Sequence, residues 1–409
     1  MADARVDVAV VGAGPAGGHL ARLLVERGLK VLLADRLPDL RKNAFSSAGT
    51  TLEALDRFRL PGHLVGAFWK NLSARSSNEE GHWSGVGVSG AVLDFGSLRE
   101  HLAREAEKGG AQLCLGCKAT SWEGGLGEAR LRLERGAERF EVKTGILVDA
   151  TGPARGLMRR AAPPAPAYLV GTGLEWLVEV PPDLWDSWRE TLAFFLGRRW
   201  IPRGYSWIFP MQEGLLKVGA GRFNPGGPGF PTSLEFHIRQ LLGEVLKIPS
   251  ARVLDVHGGT LRYARGLKDP YAAGPLIGVG DAVSTLNTLG GEGIRHAMEG
   301  AEIALPFILR ALGDPAVGFG GYAAAMHRRF KGRWDWSEEL AVRRYLQDGD
   351  GRLDSMIRFL RARDLEFVLD VLFNYNFPRA ARAAGPAFLW SRLRRAGARA
   401  GALLGIQGR

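Results

Sequence analysis

Gly12, Gly14 and Gly17 stand in GxGxxG spacing between the apolar run "VDVAVV" (Val6 to Val11) and a segment carrying Leu20, Leu23 and Leu24 on one helical face. The chemistry served by that spacing is the holding of a pyrophosphate. The first glycine makes the turn, the second lets phosphate approach backbone amides, and the third lets helix and strand pack closely. Free N–H groups at the helix start, with the helix dipole, supply positive potential. Asp35 ends the next strand, "KVLLAD", where a carboxylate can receive the hydroxyl pair of a ribose, and Arg36 follows it. Strand, glycines, helix, strand and acid in register make one βαβ unit for an adenine dinucleotide. A second GxGxxG, "GVGVSG" (Gly85 to Gly90), runs into strand-like "AVLDF" instead of a helix and lacks an amide-lined helix end. One dinucleotide is the expected count.

Far along the chain "PLIGVGDAV" ends a buried strand at Gly280-Asp281, and a loop leads through Gly290, Gly291 and Gly293 into a long helix. An acid at a strand end suits the ribityl hydroxyls of a flavin. The free amides of the helix suit the flavin's pyrimidine carbonyl and the negative charge at N1 in the reduced state. The two motifs together name the dinucleotide as FAD.

The elements that must position these groups divide the chain into parts. Residues 1–164 read as the first part of an FAD-binding domain, with an excursion toward the substrate side near 41–95. Residues 165–265, rich in alternating strands, Pro, Gly and aromatics, read as an inserted antiparallel substrate domain. Residues 266–335 return to the FAD-binding domain, and 336–409 read as a helical, basic C-terminal region. The fold class is therefore α/β, a Rossmann-type domain with an antiparallel insertion and a helical tail. Inside the insertion, "RGYSWIFP" (Arg203 to Pro210) puts Tyr205, Trp207 and Phe209 on one face of a strand and Ser206 and Ile208 on the other. The aromatic face reads as a pocket wall.

At 409 residues the chain is long enough for more than one core, and 46% hydrophobic with 24% charged residues is ordinary for a folded protein. No run of about 18 apolar residues marks a membrane span, and "MADARVDVAVVGAG" lacks a signal-peptide layout, so a cytoplasmic protein, peripheral to membrane at most, is expected. Cys114 and Cys117, the two cysteines, point to a reducing compartment. On an extended strand this CxxC pair faces opposite sides and packs structurally; no second pair exists for zinc, and no metal site is expected. Net charge is +11, and the stretch from Val371 to Arg409 holds seven arginines and no acid. With Phe388, Leu389 and Trp390 among those arginines, this tail offers peripheral contact with an anionic membrane, or a solvated basic helix. No recognition motif supports nucleic-acid binding. His296, one turn past Gly293, reads as a packed helix histidine, and Glu292 as a solvated or capping acid.

The N-terminal fingerprint, "DATG" at Asp149 to Gly152, and Gly280-Asp281 resemble the FAD-dependent oxidoreductases of the aromatic-hydroxylase-like superfamily. Within it, "GEGIRHAM" and "GYSWIFP" resemble the geranylgeranyl reductase family over roughly Val6 to Leu309. The resemblance implies FAD contacts at Ala16, Asp35, Ser46, Ser47, Arg99, Ala119, Asp281, Gly293 and Ile294, with Gly152, Gly280 and Gly291 in the matching motifs. Thr288 stands where the family usually has proline, "FSSAGT" where it often has Cys-Gly, and Phe95 where it usually has arginine. The reaction implied is reduction of carbon–carbon double bonds in a polyprenyl group on a lipid, quinone or pigment precursor, with NADPH or a small electron carrier as transient donor. Tyr205 and Trp207 then form the substrate wall, and Tyr205 offers a hydroxyl for proton relay. The alternatives are an electron carrier to a quinone or partner protein, a lycopene-cyclase-like enzyme, and a monooxygenase or halogenase. Against the monooxygenase stands the absence of histidine in "GDAVSTLNTL", against the halogenase the Tyr-x-Trp-x-Phe-Pro form of the aromatic strand, and against the cyclase the lack of an acidic signature.

Overall fold

The computed structural model describes residues 4–42, 46–224, 231–347 and 349–385. Strand β1 (Ala4–Val11), helix α1 (Pro15–Val25) and strand β2 (Val31–Asp35) form the opening unit. Val8, Ala9 and Val10 are all buried, as a parallel strand covered on both faces requires. The chain then leaves through β3 (Gly49–Thr51), α2 (Leu52–Arg57), β4 (Val65–Trp69), β5 (Asn71–Arg75), β6 (Glu80–Ser84) and β7 (Gly90–Leu93). It returns along α3 (Phe95–Lys108), β8 (Gln112–Leu115), β9 (Lys118–Gly125), β10 (Glu128–Arg135), β11 (Glu138–Asp149) and α4 (Met158–Ala161). The next stretch is β12 (Tyr168–Glu179), α5 (Pro182–Trp188), β13 (Thr191–Gly197), β14 (Ile201–Pro210), β15 (Leu215–Phe223), α6 (Leu234–Gln240) and β16 (Val253–Ala264). Last come β17 (Ala272–Ala273), β18 (Leu276–Gly278), α7 (Ile294–Gly313), α8 (Tyr322–Ala341), α9 (Asp350–Arg361), α10 (Leu365–Leu372) and α11 (Phe377–Ala383).

Two sheets carry the architecture. The first runs β17-β18-β11-β1-β2-β8, parallel from β18 to β8, with the β9–β10 hairpin attached to β11. The second runs β16-β12-β15-β14-β13-β5-β6. It is antiparallel except where β13 meets β5, because β5 arrives from the early excursion and not from a hairpin. The segment from Asn71 to Ser84 thus extends the sheet of the insertion. A small sheet, β3-β7-β4, lies between them in the chain. On the outer face of β14, Ser206 and Ile208 are buried, and Ile208 packs with Ile238 and Leu241 of the α6 region.

The C-terminal helices are fastened to the β5–β6 hairpin. The Asp354 carboxylate on α9 accepts from Ser76 Oγ at 2.5 Å and from Asn78 Nδ2 at 2.9 Å. Arg379 pairs with Asp370 at 2.9 Å, so this arginine of the basic stretch is bound within the helical region. The expected membrane contact through Phe388 to Trp390 lies outside the described residues. Among the described residues no helix is long and apolar enough to cross a membrane.

The cysteine expectation needs correction. Cys114 and Cys117 are joined in a disulfide, with Cα atoms 5.8 Å apart. Strand β8 stops at Leu115, and the chain turns back as Gly116 and Cys117 donate to the Leu37 and Asp35 carbonyls. The alternation of a strand therefore does not extend to Cys117. Both residues are buried beside Leu131 and Leu133.

Asp149, in "DATG", ends β11 and is wholly buried. Its Oδ2 accepts from the Leu157 and Met158 amides at 3.0 and 2.7 Å, and its Oδ1 from Thr151 Oγ1 at 2.6 Å. Asp149→Ala orphans those amides in a dry turn. Urea unfolding should show a loss of about 2–4 kcal/mol; a change within ±0.5 kcal/mol would mean that the turn holds without the carboxylate.

Candidate functional site

The site begins at the turn from β1 to α1. Gly12 has φ +108°, and a Cβ there would run into the Ala150 carbonyl; a Cβ on Gly17 would run into the Gly12 carbonyl. Around Gly14 nothing lies within 4 Å of a Cβ position, and no side chain caps the start of α1. The first amides of α1 are thus left for an anion. Asp35 holds the turn from the next strand: Oδ2 accepts the Ala13 amide at 2.8 Å and Oδ1 the Leu37 amide at 2.9 Å. Arg99 on α3 approaches Asp35 Oδ2 at 3.8 Å.

A cavity of about 250 Å³ opens from this turn. It gathers Gly14, Ala16, Ser46, Ser47, Gly152, Gly280, Asp281, Gly291, Gly293 and Ile294, together with Tyr205 and Trp207. Residues named from motifs 280 positions apart therefore meet around one space. Gly12, Gly17, Asp35, Arg36, Arg99 and Ala119 are not part of its lining: the two glycines pack against Ala150, and Asp35 is taken up by the Ala13 and Leu37 amides with Arg99 beside it. Arg36 is exposed, and Ala119 packs against the cluster that holds the disulfide. Among the described residues no group of His, Cys, Asp or Glu could hold a metal ion.

Two buried hydroxyls in the lining, Tyr263 and Thr288, have no hydrogen-bond partner in the protein. Such groups ask for a polar ligand. With the open Gly14 turn and the Asp281 carboxylate they fit FAD, whose phosphates, ribityl hydroxyls and ring carbonyls offer those partners. Asp281 accepts from Thr285 Oγ1 at 3.2 Å. Burial pushes its carboxyl up to about 6, against the smaller opposing effects of Thr285, a backbone hydrogen bond at Leu286 and His296.

The glycine turn before α7 is fixed by two tyrosines. Tyr205 Oη donates to the Gly290 carbonyl at 2.7 Å, and Tyr345 Oη to the Leu289 carbonyl at 3.0 Å. Burial drives the Tyr205 phenol far above its ordinary value. Its proton is committed to the turn, so Tyr205 is a wall and a tie, and a poor acid. Beyond these tyrosines lies a second cavity of about 140 Å³, lined by Leu72, Leu192, Phe194, Phe209, Met356, Leu360 and Phe373 among others. Ser46, Ser47, Tyr205, Gly291, Gly293, Ile294 and Tyr345 border both spaces.

Glu292 corrects another expectation. Its side chain is only 10% exposed and pairs with Arg295 at 2.8 Å and His296 at 3.2 Å, and it accepts from Tyr375 Oη at 2.8 Å. Burial would raise this carboxyl, but His296 and Arg295 outweigh it and hold it well below the usual range. The C-terminal helices cover the start of α7, and no local pattern announces that cover. His296 is packed as expected, its ring 4.7 Å from that of Trp334.

Sequence reasoning missed three further groups. Glu175 is fully buried and bonded to Trp207. His257 contacts Glu175. Lys217 donates to the Ser46, Ser47 and Leu93 carbonyls at 3.2 Å each, and burial lowers its pKa against the pull of Glu175 and Asp94. An acid in "GLEWL" and a base in "LLKVG" are visible signals, but their partners stand from 32 to 171 residues away and only the fold brings them near.

A family model for the FAD binding domain matches residues 5–65. The digeranylgeranylglycerophospholipid reductase of Haloferax volcanii is 30% identical over 329 residues, covering 75% of this chain and 76% of the relative. Digeranylgeranylglycerophospholipid reductase 2 of Methanothermobacter thermautotrophicus is 27% identical over 386 residues, covering 89% and 94%. Among solved structures, a geranylgeranyl bacteriochlorophyll reductase-like protein of Thermoplasma acidophilum superposes with TM-score 0.77 at 21% identity, covering 88% of this chain and 93% of its own.

Two outcomes follow from the site. Gly12→Ala meets both the strained φ and the Ala150 carbonyl, so FAD affinity, read from the flavin absorbance retained on gel filtration, should fall at least about tenfold. For Asp281 the folded pKa of about 6 lies above the ordinary 3.8. The folded state therefore binds that proton more tightly, and the stability it gives is full below pH 3.8 and is lost as pH rises through about 6. Flavin-free protein should lose up to about 3 kcal/mol relative to Asp281→Asn across that window in urea unfolding; parallel pH profiles for the two proteins would contradict it.

Proposed function

The chain belongs to the geranylgeranyl reductase family of FAD-dependent oxidoreductases, and from that premise we propose that it reduces carbon–carbon double bonds in the prenyl chains of a glycerolipid. The observation that carries this reading is the apolar second cavity, which borders the FAD cavity through Tyr205, Tyr345 and Gly291. An electron carrier needs an accessible cofactor edge; an apolar space bordering that cofactor's cavity serves a greasy chain instead.

Reduced FAD supplies a hydride from its N5 when bound. The Gly14 turn and the first amides of α1 would hold its pyrophosphate, Asp35 the adenosine ribose, Asp281 the ribityl chain, and the Gly293–Ile294 amides the pyrimidine edge. The rest falls to the chain's own side chains. Each double bond takes up one hydride and one proton, and no carbonyl in the substrate polarises it. Phe194, Phe209 and Leu192 exclude water from the prenyl side and align the alkene. Trp207 offers a π face to the carbon that becomes positive. Tyr205 and Tyr345 keep the glycine turn in place while their protons stay on the Gly290 and Leu289 carbonyls. NADPH or a small electron carrier restores the electrons by transient docking, since the GxGxxG unit is committed to FAD.

The test is anaerobic. Photoreduced enzyme mixed with a digeranylgeranylglycerophospholipid should return to the oxidised flavin spectrum while the lipid gains two hydrogens per bond reduced. Ala74→Phe, at a residue that lines the second cavity and not the FAD cavity, should slow that reoxidation at least about tenfold with flavin still bound. Reoxidation by a quinone, with the lipid mass unchanged, would establish the electron-carrier reading instead.

A further inference from the structure

Four strands bring four residues into one rung. Trp207 on β14 stands opposite Gly219 on β15, Gly219 opposite Glu175 on β12, and Glu175 opposite His257 on β16. Residues paired in this way share a face of the sheet. Gly219 is what allows contact across β15: the indole lies over it, and any Cβ there would collide with the ring. Trp207 Nε1 donates to Glu175 Oε2 at 2.7 Å. His257 Nε2 lies 3.1 Å from Glu175 Oε1, and its Nδ1 lies 2.8 Å from Asp255 Oδ2. The neighbouring rung on the same face is Tyr205, Gly221, Gly173 and Gly259, which leaves the cavity floor open. Trp207 lines the cavity and Glu175 does not, so the carboxylate stands behind the indole.

A wholly buried carboxylate is an expensive way to satisfy one indole N–H, which any carbonyl would satisfy. What a carboxylate adds is charge. Accepting from Nε1, it pushes electron density into the ring and deepens the negative potential of the π face. Burial would lower the pKa of His257, but hydrogen bonds and charges from Glu175 and Asp255 prevail and raise it. The imidazolium then stabilises the carboxylate from the side away from the indole. Lys217 on β15, on the adjacent rung with Asp255, also interacts with Glu175, and its amine is turned to the Ser46, Ser47 and Leu93 carbonyls.

We propose that Glu175 is a positioning residue that makes Trp207 an electron-rich wall selective for cationic carbon in the pocket, with His257 as the counter-charge that offsets part of that effect. The inference deepens the prenyl-reduction reading and rests on it for its purpose: when one alkene carbon takes the proton, its tertiary neighbour stays positive until it takes the hydride, and the Trp207 face is where that charge is stabilised.

The experiment uses oxidised, FAD-loaded protein and two probes below their micellar concentrations, dodecyltrimethylammonium and its uncharged tert-butyl isostere. Binding is read from the flavin absorbance change, with no turnover. Wild type should prefer the ammonium. Glu175→Gln should weaken the ammonium about tenfold and leave the isostere unchanged, and it should add little in a Trp207→Phe background. His257→Gln, which strips the compensating charge, should tighten ammonium binding at pH 6, below the ordinary imidazole value that His257 exceeds; a merely structural role would loosen it. Equal losses for both probes in Glu175→Gln, an equal loss in the Trp207→Phe background, or weaker ammonium binding in His257→Gln would each overturn the inference. Prenyl reduction is not measured here, so a failure of the lipid assay and a failure of this titration are separate results.

Discussion

The hydrogen bond from Tyr205 to the Gly290 carbonyl joins the antiparallel sheet to the Rossmann-type part at the cavity wall. Tyr205 belongs to β14, Gly290 to the turn that leads into α7. If that contact slipped, the aromatic face of β14 would lose its register with the Gly291–Gly293 amides. The turn is held from other sides as well. Asn287, wholly buried, accepts from the Leu289 amide at 2.9 Å and donates to Ser337 Oγ on α8 at 2.8 Å. Tyr345 holds the Leu289 carbonyl, and Glu292 binds Tyr375 across from the C-terminal helices. A glycine-rich turn has little rigidity of its own, so its shape is imposed by neighbours.

The charges buried around this turn divide into two kinds. Glu299 on α7 pairs with Arg329 on α8 at 2.7 Å, and Glu292 and Arg295, paired with each other at the start of α7, reach the cover through Tyr375 Oη and the Phe373 carbonyl. Such pairs add little net stability over an apolar core but are costly to mismatch, so they select one docking of the helices. Asp281 is the contrast: it has a threonine for a partner and no guanidinium in contact, and its carboxyl rises where Glu292 falls. A carboxyl left under-partnered at a cavity wall is what a hydroxyl-bearing ligand requires.

What was legible in the sequence was local. The βαβ unit lies within 32 residues, from Ala4 to Asp35, and its glycines act on neighbours a few positions away. The Gly280–Gly293 loop is similarly compact, so both motifs could be read and joined through a shared cofactor. Tyr205 and Trp207 were assigned to a wall because strand alternation is also a short-range rule. The failures are non-local. Glu292 looks solvated until α10 and the Tyr375 segment arrive more than 70 residues later. Glu175 is 32 residues from Trp207 and 82 from His257, and nothing short of the strand order places them in one rung. Cys117 departs for a smaller reason: the strand ends at Leu115, two residues before it.

This division bears on how one scaffold can serve different flavin chemistries. The dinucleotide turn is nearly dictated by backbone constraints, since Gly12 and Gly17 have no room for a side chain. The sheet that faces it is constrained by side chains on its cavity side: a Cβ at Gly221 meets nothing closer than 3.5 Å, and one at Gly219 would collide with the Trp207 ring. Which of them stay empty determines where an indole may lie and how deep a substrate may reach. Reaction type is therefore written on β12, β14 and β15, in small residues as much as in reactive ones. The wall at Trp207 exists because Gly219 is absent of side chain, and the charge behind it is useful only because that gap lets the indole touch it.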